Sequence, residues 1–144
     1  MDDGYAHICS TKIDRPAKDA LSFLSDPLKL SSWAVGMGET IVHDGILIEG
    51  FNANINEPIW AKIEVDLKSK TLQYYIGPEA ASLVPRIMIR IVAPDVLQED
   101  EACCVVSMIT WRQSSMDNAR WESLKALHES EIKTVKQLIE AGVA

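Results

Sequence analysis

The chain has 144 residues, 47% of them hydrophobic and 24% charged, enough for one domain over residues 1–144 that buries roughly two thirds of its unfolded surface. A formal net charge of −7, with no basic cluster anywhere, excludes nucleic acid from the expected partners; that charge keeps the domain in solution. No apolar run is long enough for a membrane span, and the acidic start Met1, Asp2, Asp3 lacks the features of a signal peptide, so a cytoplasmic protein is expected.

Residues 5–13 alternate Tyr5, His7, Cys9 and Thr11 with Ala6, Ile8, Ser10 and Lys12, the two-residue period of a strand. Asp14, Arg15 and Pro16 end it, and Pro16 suits the first position of a helix over 16–25 that gathers Ala20, Leu21, Phe23 and Leu24. Asp26 and Pro27 break that helix and start a second over 27–33, ending in Trp33.

From Glu39 to Gln113 the pattern is antiparallel sheet. Strands over 39–43 and 45–53 flank Asp44 and Gly45, a dipeptide suited to the positive φ of a tight hairpin turn. Residues 58–67 alternate Ile59, Ala61, Ile63, Val65 and Leu67 with Trp60, Lys62, Glu64 and Asp66, one face apolar and one solvated. A turn at Lys68 to Lys70 leads into a strand over 71–77. Gly77, Pro78 and Pro85 bound a longer loop, read as an ordinary loop with a lid over the cavity mouth as the alternative. Strands over 86–93 and 102–112 then flank an acidic turn at 98–101.

The longest periodic stretch is the last, 115–142. Ser114 and Ser115 offer N-cap oxygens ahead of Asp117, and Gly142 closes the helix. Trp121, Leu124, Ile132, Val135 and Ile139 fall on one apolar stripe, with Glu122, Glu129, Lys133 and Gln137 opposite. His128 sits inside that stripe. A helix this long needs a broad apolar partner, so the order strand, two short helices, six strands and long helix implies an α+β fold. A curved, seven-stranded antiparallel sheet would wrap around the terminal helix. Space left between the two is the default ligand site.

Residues 11–35, TKIDRPAKDALSFLSDPLKLSSWAV, resemble the N-terminal segment of the START, polyketide-cyclase and pollen-allergen-like (SRPBCC) superfamily: a strand, a Pro-led helix, a Leu-x-Asp-Pro break and a Trp. The order of elements is similar through residue 142. The resemblance implies a helix-grip fold with a deep hydrophobic cavity. Within that superfamily such cavities serve lipid or hormone carriage, cyclisation or dehydration of polyketides, or co-activation of a chaperone. The plant allergen and hormone-receptor branch has a Gly-rich loop between its second and third strands, where this chain has only Val42-His43-Asp44-Gly45.

His128 among apolar neighbours is either a general base or ligand donor, or a buried histidine satisfied by one partner; no second titratable group at a helix-facing spacing is evident to orient it. Tyr74, flanked by Leu72 and Ile76, is the better placed of the two adjacent tyrosines to offer a hydroxyl. Arg86 and Arg90 share a strand face with Met88, and the convex, solvated face is favoured because it leaves three isoleucines for the core. Cys9, Cys103 and Cys104 show no metal spacing and read as small buried hydrophobes, so neither His7 with Cys9 and His128 nor any other set is expected to hold a metal, and no cofactor is implied. His43 belongs to the hairpin turn. Trp60, beside Lys62 and Glu64, is a surface aromatic or part of a contact within a homodimer.

The expected ligand is a small apolar molecule, walled by Ile63, Val65, Leu72, Tyr74 and Trp111 of the sheet and Trp121, Leu124, His128 and Ile132 of the helix. One rival is a cyclase or dehydratase using His128 or Tyr74 as acid or base. The other is a module that docks on another protein.

Overall fold

A computed structural model describes residues 4–98 and 102–142. Seven strands form one antiparallel sheet in the order β1-β7-β6-β5-β4-β3-β2: β1 Ala6–Ile13, β2 Ile41–His43, β3 Leu47–Asn52, β4 Glu57–Asp66, β5 Thr71–Gly77, β6 Val84–Val92 and β7 Cys104–Trp111. From β2 to β7 each strand pairs with the next in five consecutive pairs, and β1 closes on β7, Ala6 opposite Trp111 through Ile13 opposite Cys104. The curved sheet and the long terminal helix make the helix-grip fold.

Between β1 and β2 lie α1 Ala17–Ser25 and α2 Leu30–Trp33, with 3-10 turns at Pro27–Lys29 and Val35–Met37. The Asp-Pro break works through its aspartate: Asp26 Oδ1 accepts from the backbone N–H of Leu28 at 2.9 Å and caps the turn that Pro27 begins. Asp44 and Gly45 take φ of 54° and 71°, the left-handed pair a tight hairpin requires, and Ile46 N–H closes the turn on His43 O. A short helix not expected from the pattern, α3 Pro94–Leu97, follows β6; of the acidic turn at 98–101, all but Gln98 lies outside the described residues.

The terminal helix α4 spans Asn118–Glu140 and is capped by Asp117, not by Ser114 or Ser115: the Asp117 carboxylate accepts from Arg120 N–H at 2.8 Å. An ionised acceptor at the positive end of the helix outcompetes a hydroxyl one turn earlier. Gly142, at φ 74°, ends the helix as expected. The C-terminal half of α4 is packed shut, with Ile132, Val135 and Ile139 at 3% exposure or less against a core that includes Ile13, Leu24, Cys104 and Val106.

Two features hold the short helices over the sheet. Tyr74 meets Trp33 edge to face at 5.7 Å and donates its hydroxyl to the carbonyl of Leu24 at 2.7 Å. Gly50 of β3 lets the carbonyl of Met37 approach so closely that a Cβ there would overlap it.

Candidate functional site

The two halves of α4 behave differently. Below Ile132 the helix stands off the sheet, and a cavity of about 640 Å³ opens between them. Its floor is Ile59 and Ala61 of β4, Tyr74 and Ile76 of β5, Arg86 and Ile87 of β6, and Thr110 of β7. The helix contributes Leu124, Leu127, His128 and Glu131, and Trp33 with Met37 form the side wall. Exposed residues, Asn54, Ile55, Pro78, Ser82 and Arg120 among them, rim the mouth. The loop bounded by Gly77 and Pro78 is therefore at the rim, where a lid would stand, although β6 begins at Val84 and shortens it.

Of the residues expected to wall the cavity, the structure brings Tyr74, Leu124 and His128 together there. Leu72 and Ile132 are buried in the closed part of the core, and Ile63 and Val65 pack against that core from farther along β4. Trp121 is buried, 2% exposed, with Lys125 over its ring at 5.7 Å, and does not reach the cavity. Trp111 is a correction: the even residues of β7, Val106, Met108 and Thr110, face inward, leaving Trp111 on the outer face, 40% exposed. Arg112, of the same parity as that inward face, bonds Met116 O and Asn118 Oδ1 through its guanidinium at the start of α4.

Arg86 is the second correction. Tyr74 pairs with Ile87 and Tyr75 with Pro85, so Arg86 is the extra residue of a β-bulge. Without the bulge Arg86 would face outward with Arg90, which is exposed as expected; with it, Arg86 joins Ile87 on the cavity wall. The signal was present in the sequence. Pro85 lies within an interior strand, where the missing N–H is tolerated essentially only at a bulge.

His128 is 4% exposed and has a partner that the spacing analysis missed. Glu131, three residues on and 5% exposed, places Oε1 3.9 Å from His128 Nε2, while its Oε2 accepts from Val35 N–H at 2.7 Å. Burial pushes the Glu131 carboxyl up to about 7 against the opposing pull of that backbone bond. Burial, with the nearby His7 and the Arg86 charge behind it, holds the His128 imidazole down at about 4. At neutral pH the imidazole is thus uncharged, and the 3.9 Å approach is a polar contact between two groups that resist ionisation, not an ion pair. His128 Nδ1 is buried without a partner, as is Thr110 Oγ1.

The Tyr74 hydroxyl is committed to Leu24 O, and burial raises its pKa far above the ordinary phenol value. His7 lies 3.5 Å from the Glu129 carboxylate, and the Cys9 thiol donates to the carbonyl of His128 at 3.8 Å, so both pack β1 against α4. Among the described residues no group of three or more His, Cys, Asp or Glu is placed to hold a metal ion. Outside, His43 bonds Glu49 at 2.8 Å and stacks on Trp60 at 5.6 Å, so His43 is tied into the sheet rather than simply solvated in the turn.

No protein-family model matches the chain, and no curated protein sequence does. Solved structures do resemble it in fold. An uncharacterised protein of Bacillus thuringiensis superposes with a TM-score of 0.67 at 13% identity, over 93% of this chain and 98% of that one. Protein CV1439 of Chromobacterium violaceum gives 0.65 at 12% identity, over 94% and 98%. The di-domain ARO/CYC BexL from the BE-7585A biosynthetic pathway gives 0.66 at 11% identity, over 94% of this chain and 46% of its own, so the present chain spans about half of that protein. At these identities the likeness is one of fold alone.

Proposed function

We propose that this protein binds a small apolar or aromatic molecule in the cavity between the sheet and the N-terminal half of α4. The observation that carries the reading is the standing-off of that half-helix: the packed C-terminal half keeps the grip closed, and about 640 Å³ is left beside Trp33, Tyr74, Ile87 and Leu124. Pockets of this size and lining are what drug-sized ligands occupy. Native mass spectrometry of protein purified from its own host tests it. A small molecule that co-purifies and is released on denaturation is the expected result. An empty protein that also takes up no apolar probe overturns it.

A second reading, an enzyme of the cyclase or dehydratase kind, is favoured by one observation. Glu131, raised to about 7 beside an uncharged His128, can give and take a proton near neutral pH. Glu131 replaces Tyr74 as His128's partner in that reading, because the tyrosine proton is already donated. Turnover of a linear polyketide that is lost in Glu131→Gln, with the fold intact, is its test. The docking-module reading has less support: the apolar surface at Trp60 is interrupted by His43, Glu49 and Lys62.

A further inference from the structure

The cavity wall carries a positive charge that forms no ion pair among the described residues. Arg86 is half-buried, its Nε is wholly enclosed, and that atom has no hydrogen-bond partner. No carboxylate among the described residues pairs with its guanidinium, in a chain whose formal net charge is −7. Two acids line the cavity: Glu57 is exposed at its mouth, and Glu131 is already engaged, one oxygen accepting from Val35 and the other facing His128. A second cation, Arg120, stands near enough at the mouth to lower the Arg86 pKa further after burial has done so. A half-buried guanidinium without an ion-pair partner is costly in the empty protein, and the like charge of the exposed Arg120 adds repulsion.

Other unsatisfied groups gather beside it. Thr110, directly across from Ile87 on β7, has a buried hydroxyl without a partner. His128 Nδ1 is likewise orphaned, on the helix above, close enough for the Arg86 charge to act on the imidazole. One guanidinium, one hydroxyl and one imidazole nitrogen therefore converge on the same part of an otherwise apolar hollow.

We propose that the occupant is an amphipathic carboxylic acid, its apolar or aromatic body in the hollow and its carboxylate held by the guanidinium of Arg86, with the Thr110 hydroxyl as a further donor. The proposal rests on the ligand-binding reading above. The paired terminal N–H groups of a guanidinium match the two oxygens of a carboxylate, and in Arg86 these lie outside the enclosed Nε. The bulge at Pro85 and Arg86 has a consequence on this account: it turns an arginine from solvent into the cavity, where a charged head would otherwise find no partner.

The test compares 2-naphthoic acid and dodecanoic acid with their primary amides by isothermal titration on the full chain. Each acid is expected to bind about 10-fold to 100-fold tighter than its amide. Arg86→Met should erase that preference, bringing the acid down to the affinity of its amide, and Arg90→Met on the outer face should leave the preference as it is. Arg86→Met is expected to melt no lower than wild type, because no partner is lost; a second variant, Arg86→Gln, separates charge from bulk should it fold poorly. Acid and amide binding alike, or an acid preference that survives both Arg86 variants, overturns the carboxylate assignment alone. If neither acid nor amide binds wild type, the cavity reading fails and the assignment falls with it.

Discussion

His128 and Glu131 should make the stability of the protein nearly independent of pH over a window in which each alone would make it steep. The unfolded imidazole takes up a proton as pH falls through 6.5, whereas the folded one resists until about 4. Between those values the unfolded state binds more protons, so this group makes stability rise with pH. Glu131 has the opposite sign: the folded carboxyl keeps its proton up to about 7, the unfolded one releases it near 4.5, and stability falls as pH rises between them. Each contributes about 3 kcal/mol over its range. The two offset one another from pH 4.5 to 6.5. In Glu131→Gln, which keeps an oxygen for Val35 N–H, only the imidazole slope remains, and stability relative to wild type should climb by about 3 kcal/mol from pH 4.5 to 7. In His128→Gln the carboxyl slope remains, and relative stability should rise by a similar amount as pH falls from 6.5 to 4. Urea melts followed by circular dichroism at half-unit pH steps measure both differences, and thermal melts should show them as shifts of roughly 10 °C. Two flat difference profiles, or two of the same sign, would refute the assignment of a neutral imidazole beside a neutral acid.

Tyr74→Phe should destabilise by about 1 to 3 kcal/mol, since it leaves the Leu24 carbonyl buried and unbonded, while ligand affinity stays within a few-fold; a selective loss of turnover with stability intact would return the tyrosine to a chemical role. Gly50→Ala should cost about 1 to 3 kcal/mol by forcing the Met37 turn off the sheet, which thermal melts will show. Leu127→Trp, placed where the hollow has room, should leave the melting temperature within a few degrees and abolish probe uptake; undiminished uptake would mean that ligands bind elsewhere.

The fold was legible because its signals are local and repeated. The Pro-led helix, the Asp-Pro break, the Asp-Gly hairpin and the in-and-out strand ending at Asp66 each stand within a residue or two of where the pattern puts them. The site was legible only in part, because it depends on which residue of an element turns inward. Strand parity is a single bit per strand, and placing Trp111 in the cavity wall inverted it for β7, whose even residues face inward. On α4 the stripe centred on Leu124 and Ile132 located His128 but counted no acid beside it. Glu131, one residue before Ile132, is buried because the short helices cover it and Val35 supplies its bond, a tertiary fact no helical period contains.

That division between local and tertiary signals follows the division of labour along α4. The half that holds the molecule together, Ile132 to Ile139, is apolar, regular and tightly buried, and such residues announce themselves by spacing. The half that faces the hollow alternates Leu124 and Leu127 with Arg120, Ser123, His128 and Glu131, which by spacing alone reads as an ordinary amphipathic edge. A cavity must break the apolar pattern where it needs a polar group, so its polar residues are the ones periodicity assigns to solvent. The same holds on the sheet, where the inward arginine occupies the position that strict alternation would have exposed. Polar residues at nominally outward positions next to a strand proline or a helix stripe are therefore the places to look for cavity residues in proteins of this fold.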